Sequence, residues 1–96
     1  MILSFGNKVT DELYNGLDTK GVRRLPTDVK QRTLNRLDVL NGAHDLLDLR
    51  SPPGNRLEAL KGDLLGFYSI RVNDQWRIIF RWKDGNAYEV QLTDYH

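Results

Sequence analysis

From Phe67 to Leu92 the chain alternates large apolar with polar residues in three runs, each ending in residues that turn the backbone. No other feature restricts the fold as much. Tyr68, Ile70 and Val72 share one face of the first run. Trp76, Ile78, Phe80 and Trp82 share one face of the second, and Tyr88, Val90 and Leu92 one face of the third. A period of two residues is that of a strand buried on one side. The intervening turns, Asn73-Asp74-Gln75 and Lys83-Asp84-Gly85-Asn86, are too short for a crossover, so the strands Phe67–Val72, Trp76–Trp82 and Ala87–Leu92 must run antiparallel. One more strand is expected from Arg56 to Lys61, closed by the Gly62-Asp63 turn.

The N-terminal half has a different period. Ile2-Leu3-Ser4-Phe5 reads as a short first strand. Val9, Leu13 and Leu17 recur at helical spacing, with Gly16 and Gly21 bracketing the helix end. Arg23-Arg24-Leu25-Pro26 is a connector, and Thr27 is the expected N-cap of a second helix whose apolar side is Val29, Leu34, Leu37 and Leu40. Asn41-Gly42 stops that helix, Asp45–Leu49 reads as one irregular helical turn, and Ser51-Pro52-Pro53-Gly54 as a rigid loop. Two helices followed by hairpin-linked strands give an α+β fold, with the helices packed on one face of a mainly antiparallel sheet.

Ninety-six residues allow one domain with one core, expected over residues 1–96. No apolar run approaches the roughly 20 residues of a membrane span, and the opening residues lack the basic and apolar regions of a secretory signal, so a cytoplasmic protein is expected. The lack of cysteine excludes disulfides, thiolate zinc sites and thiol catalysis. His44 and His96 are too far apart in sequence for a metal-ligand pattern, and neither a metal nor a cofactor is expected. A net charge of +1 excludes a broadly cationic nucleic-acid coat. The cations are mostly arginine, the better residue for forked phosphate contacts and for stacking on bases, so their placement matters more than their sum.

By parity, the face away from the core carries Ser69 and Arg71, then Arg77, Ile79 and Arg81, then Glu89, Gln91, Thr93 and Tyr95. A row of arginines there can bind a phosphate backbone, or it can be a solvated row paired with Glu89 or Asp84. Arg77, in mid-strand, is the best placed. Lys61, before the Gly62-Asp63 turn, can lean over the sheet end as a point charge or remain a solvated turn residue. Glu58 can act as a general base or pair with Arg56 or Arg71. His44 reads as an exposed loop residue. Arg23, Arg24, Lys30, Arg32 and Arg36 read as a solvated helix face or a contact for structured RNA. Phe5, Trp76, Phe80 and Trp82 read as core. Asp94-Tyr95-His96 places an acid, a phenol and an imidazole together just past the last strand, at a sheet rim.

Three segments carry a resemblance. Asn55-Arg56-Leu57-Glu58-Ala59-Leu60-Lys61-Gly62-Asp63, Gly66–Phe80 and the terminal Asp94-Tyr95-His96 closely resemble the HigB toxins of the RelE/ParE superfamily. The N-terminal half agrees in helical layout and opening strand. The resemblance implies a RelE-like fold and the toxin of a type II toxin–antitoxin pair that cleaves mRNA on the ribosome without a metal. It implies that Lys61 and Arg77 supply positive charge, and that Asp94, Tyr95 and His96 orient, stack and transfer protons. Glu58 stands where the family often has histidine, and a carboxylate there could serve as base. Arg56, Arg71 and Arg81 would contact RNA. The partners implied are a separately encoded helix-turn-helix antitoxin, the ribosome and its mRNA, and operator DNA bound only by the toxin–antitoxin complex. The alternatives are a ParE-like inhibitor of DNA gyrase without nuclease chemistry, and an attenuated toxin that only binds RNA or its antitoxin.

Overall fold

The structure is a computed structural model and describes residues 1–94. Helices α1 (Lys8–Tyr14), α2 (Lys20–Arg23) and α3 (Thr27–Gly42) precede strands β1 (Glu58–Ala59), β2 (Tyr68–Arg71), β3 (Trp76–Lys83) and β4 (Asn86–Asp94). The strands form one antiparallel sheet in the order β1-β2-β3-β4. The α+β architecture is the expected one, with helices on one face. Val29, Leu37 and Leu40 of α3 are buried against Ile70, Ile78, Phe80, Val90 and Leu92 of the sheet.

The turns follow from their residues. Asn73 Oδ1 accepts from the backbone N–H groups of Gln75 (2.9 Å) and Trp76 (2.7 Å), so a side chain replaces a backbone turn between β2 and β3. Asp84 and Gly85 both adopt positive φ, 52° and 77°, which the two-residue turn between the paired residues Lys83 and Asn86 requires.

The expected opening strand is present as a segment running parallel to the outer edge of β4, with bridges Ile2–Ala87 and Phe5–Val90. It blunts an edge that would otherwise offer unpaired backbone to another chain. Gly6 permits this approach, since a Cβ there would lie 2.3 Å from Gln91 Nε2 and 2.7 Å from the Glu89 carbonyl. Further along, Leu92 donates its N–H to Thr10 Oγ1 (2.8 Å), and its carbonyl accepts from Asn7 Nδ2 (3.2 Å). Asn7 is also the N-cap of α1, accepting from Thr10 N. One capping residue thus starts the helix and fixes the end of β4.

The structure departs from the sequence reading at four places. The first helix ends at Tyr14, not near Leu17, and a separate short helix, α2, starts at the Thr19 cap. Gly16 at φ 75° breaks the first helix, and Leu17 is left exposed. Thr27 is the first residue of α3, and Pro26 holds the cap position without a side-chain bond. The strand expected from Arg56 to Lys61 shrinks to Glu58–Ala59, because Arg56 is left-handed at φ 44° and Gly62–Leu64 winds into a tight turn. Lastly, β4 carries a bulge. Its pairing shifts from Ile79–Gln91 to Arg81–Tyr88, and Glu89 adopts φ 51°. The extra residue reverses parity, so Ala87 is buried and Tyr88 faces the side of Arg81 instead of the core.

Candidate active site

The sheet face away from the helices presents two cross-strand rows. Glu58 pairs with Ser69, Ser69 with Ile79 and Ile79 with Gln91. One row further on, Arg71 pairs with Arg77 and Arg77 with Thr93. Two arginines directly opposite repel one another, so each needs a counter-charge. Arg71 takes Asp74 from the β2–β3 turn as its partner. Arg77 takes Glu58, with Nη1 3.5 Å from Oε2, and donates from Nη1 to Ser69 Oγ at 3.0 Å. The Arg77 side chain is 16% exposed and that of Glu58 51%. The guanidinium is therefore seated in the sheet surface with one side toward solvent, and the carboxylate stands at the rim.

This arrangement brings Glu58, Arg71 and Arg77 together. Glu58 pairs with Arg77 and not with the expected Arg56 or Arg71. Register explains this: Glu58 lies opposite Ser69, the residue whose hydroxyl anchors Arg77. Arg56 lies before β1 in a left-handed conformation, exposed and outside the two rows. Lys61 is exposed at the mouth of the β1–β2 turn, where its carbonyl accepts from Leu64 N at 3.3 Å and its side chain extends from the Gly62–Leu64 turn. Asp94 pairs in register with Trp76, and its carboxylate accepts from Gln75 Nε2 at 3.2 Å. It stands at the same end of the sheet as Arg77. Tyr95 and His96 lie outside the described residues. Arg81 is on the same face toward the other end of β3, ion-paired with Glu89 at 2.7 Å.

His44 is exposed beside the β3–β4 hairpin, its carbonyl next to Gly85, far along the sheet from Arg77. Arg36 donates to the Arg71 carbonyl at 3.2 Å, which joins α3 to the sheet rim; it is not simply a solvated helix residue. Ser69 is the site residue that sequence reasoning undervalued. It is fully buried, and only the register of β2 against β3 shows that its hydroxyl meets Arg77. A small polar residue in an apolar strand, two positions from an arginine, was the available signal. Among the described residues no group of three or more His, Asp or Glu converges on a metal-sized site.

Chemically, the face offers a fixed cation beside a carboxylate, with a hydroxyl behind them. That set can hold a phosphoryl oxygen and take a proton from a nearby hydroxyl. Residues 3–96 match the family of RelE-like HigB toxins of type II toxin–antitoxin systems. This chain belongs to that family. It is 42% identical over 92 residues to Toxin HigB-1 of Vibrio cholerae, covering 96% of this chain and 95% of that one. It is 35% identical over 96 residues to Endoribonuclease HigB of Proteus vulgaris, with both chains fully covered. The toxin's fold is also that of solved structures with little sequence in common. A YoeB–YefM complex from Staphylococcus aureus superposes with a TM-score of 0.62 at 17% identity, covering 100% of this chain and 98% of that one. A YoeB/ParE toxin from Agrobacterium tumefaciens gives 0.59 at 18%, with both chains fully covered. Among the described residues no helix of the toxin is long and apolar enough to cross a membrane.

Proposed function

We propose that the toxin is a cytoplasmic, ribosome-dependent mRNA endonuclease in which residues 1–96 act as one RelE-like domain. The observation that carries this reading is the Glu58–Arg77–Ser69 cluster on the uncovered sheet face. The ribose 2′-OH attacks the adjacent phosphorus, its proton passes to a base, the P–O5′ bond breaks, and the 5′-oxygen takes a proton from an acid. The products are a 2′,3′-cyclic phosphate and a free 5′-hydroxyl. Arg77, held by Ser69, stabilises charge on the phosphorane oxygens. Glu58, 3.5 Å from Arg77, is placed to receive the 2′-OH proton. Lys61 swings in from the β1–β2 turn to add charge once RNA is bound. Asp94, Tyr95 and His96 orient the nucleotide and protonate the leaving oxygen. Arg56 and Arg71 contact the RNA backbone.

A separately encoded helix-turn-helix antitoxin would inhibit the toxin by covering or distorting this face, and the pair together would bind operator DNA. Dependence on the ribosome follows from the small site and the net charge of +1, which give weak grip on free RNA. Purified toxin should leave naked mRNA intact and cleave the same mRNA on programmed ribosomes. Equal cleavage of both refutes the ribosome dependence.

A further inference from the structure

The bulge in β4 builds a second feature on the same sheet face. About 13 Å along β3 from Arg77, at roughly 3.3 Å per residue, lies a cleft of about 590 Å³ lined by Gly66, Arg81, Trp82, Lys83, Tyr88 and Glu89. Unbroken alternation would send Tyr88 into the core. The extra residue at Glu89, in a conformation sparsely populated for any side chain but glycine, turns Tyr88 onto the Arg81 side.

Arg81 is held there from two directions. Its Nε donates to Glu89 Oε2 at 2.7 Å. Its guanidinium lies 4.2 Å above the centre of the buried Phe67 ring. Gly66, at φ 94°, leaves the third side open; a Cβ there would lie 2.9 Å from Nη1. Arg81 is nevertheless 46% exposed, so its outer N–H groups reach the cleft.

The chemistry selects among ligands. A bare phosphate would be drawn to Arg81 and Lys83 but would meet the Glu89 carboxylate. A nucleobase presents donors and acceptors on one edge and an aromatic face, matching Arg81, Glu89 and Tyr88 together. Resting on the reading that the toxin acts on RNA, we infer that this cleft takes one nucleobase of the bound strand, distant from the scissile phosphate. The base stacks on Tyr88 with its polar edge between Arg81 and Glu89. The cleft thereby sets the register of the strand over Arg77.

The test uses the full chain and a 2′-O-methyl hexaribonucleotide, in which the attacking hydroxyl is blocked. Binding is followed to millimolar RNA by the NMR shifts of the backbone amides of Arg81, Tyr88 and Glu89, which border the cleft. The expected result is a saturable shift that weakens about tenfold when one position of the six is made abasic. Tyr88→Leu and Arg81→Gln should abolish that tenfold discrimination with unchanged circular dichroism; Arg81, being half exposed, serves if Tyr88→Leu does not fold. No shift at millimolar RNA, or no position where an abasic residue matters, overturns the inference. So does a pair of variants that keep the RNA response and lose binding to the antitoxin, which would make the cleft a protein interface. The shift without any cleavage on ribosomes would sink the proposed function and leave the cleft assignment standing.

Discussion

Replacing Arg77 by alanine separates catalysis from stability, because the two losses can be worked out independently. Among the partners of Arg77 are Glu58 and Ser69. The ion pair with Glu58 is half exposed and 3.5 Å long, a geometry worth about 0.5 kcal/mol in water. The bond to Ser69 Oγ matters more, since Ser69 is fully buried and would lose its donor. An orphaned buried hydroxyl costs about 1–2 kcal/mol. The total of about 2 kcal/mol is well inside the 5–14 kcal/mol expected for a chain of this size. The variant should therefore fold, with a melting temperature lower by roughly 8–15 °C. Cleavage should fall far more, by about 100- to 1000-fold, the usual loss when one preorganised charge contact to a transition state is removed. Ser69→Ala together with Arg77→Ala should recover part of the stability and none of the activity, because it removes the orphan without restoring the charge. Thermal melts by circular dichroism give the first number and timed cleavage on programmed ribosomes the second. A folded Arg77→Ala toxin cleaving within fivefold of the parent rate would refute the assignment of Arg77 to the site.

Other perturbations test the neighbouring assignments. Glu58→Gln keeps the shape and removes the proton acceptor, so cleavage should fall at least 100-fold with little change in melting; Glu58→His should keep substantial activity, and equal rates for parent and Gln variant would exclude Glu58 as base. Deleting Tyr95 and His96 should silence cleavage while the toxin stays folded, since Leu92 remains held by Asn7 and Thr10; a folded truncation that still cleaves would make those residues incidental. Thr10→Val removes the acceptor for a buried backbone N–H and should cost about 2–3 kcal/mol, with faster amide hydrogen exchange at Leu92 as the specific readout.

The sequence by itself determined the class of fold. Period-two rows ending at Asn73-Asp74-Gln75 and Asp84-Gly85 leave no topology but an antiparallel meander, because turns that short permit no crossover. The 3.6-residue spacing of Val29, Leu37 and Leu40 supplied the helix that covers it. The arginine row was legible for the same reason, since parity along an unbroken strand is fixed by geometry. Parity failed where the strand was not regular. Nothing in Ala87–Leu92 announces a bulge at Glu89, because a left-handed glutamate is held there by pairing with the N-terminal segment and Ser4, 85 residues away, and not by its own preference. Arg56 departs from its expected strand for a similar reason: its positive φ is imposed by the turn before it. The contacts among Glu58, Ser69 and Arg77 depend on register between three strands, a long-range property that no single segment encodes. The sequence thus supplied the chemical groups of the candidate site, and tertiary pairing decided which of them touch.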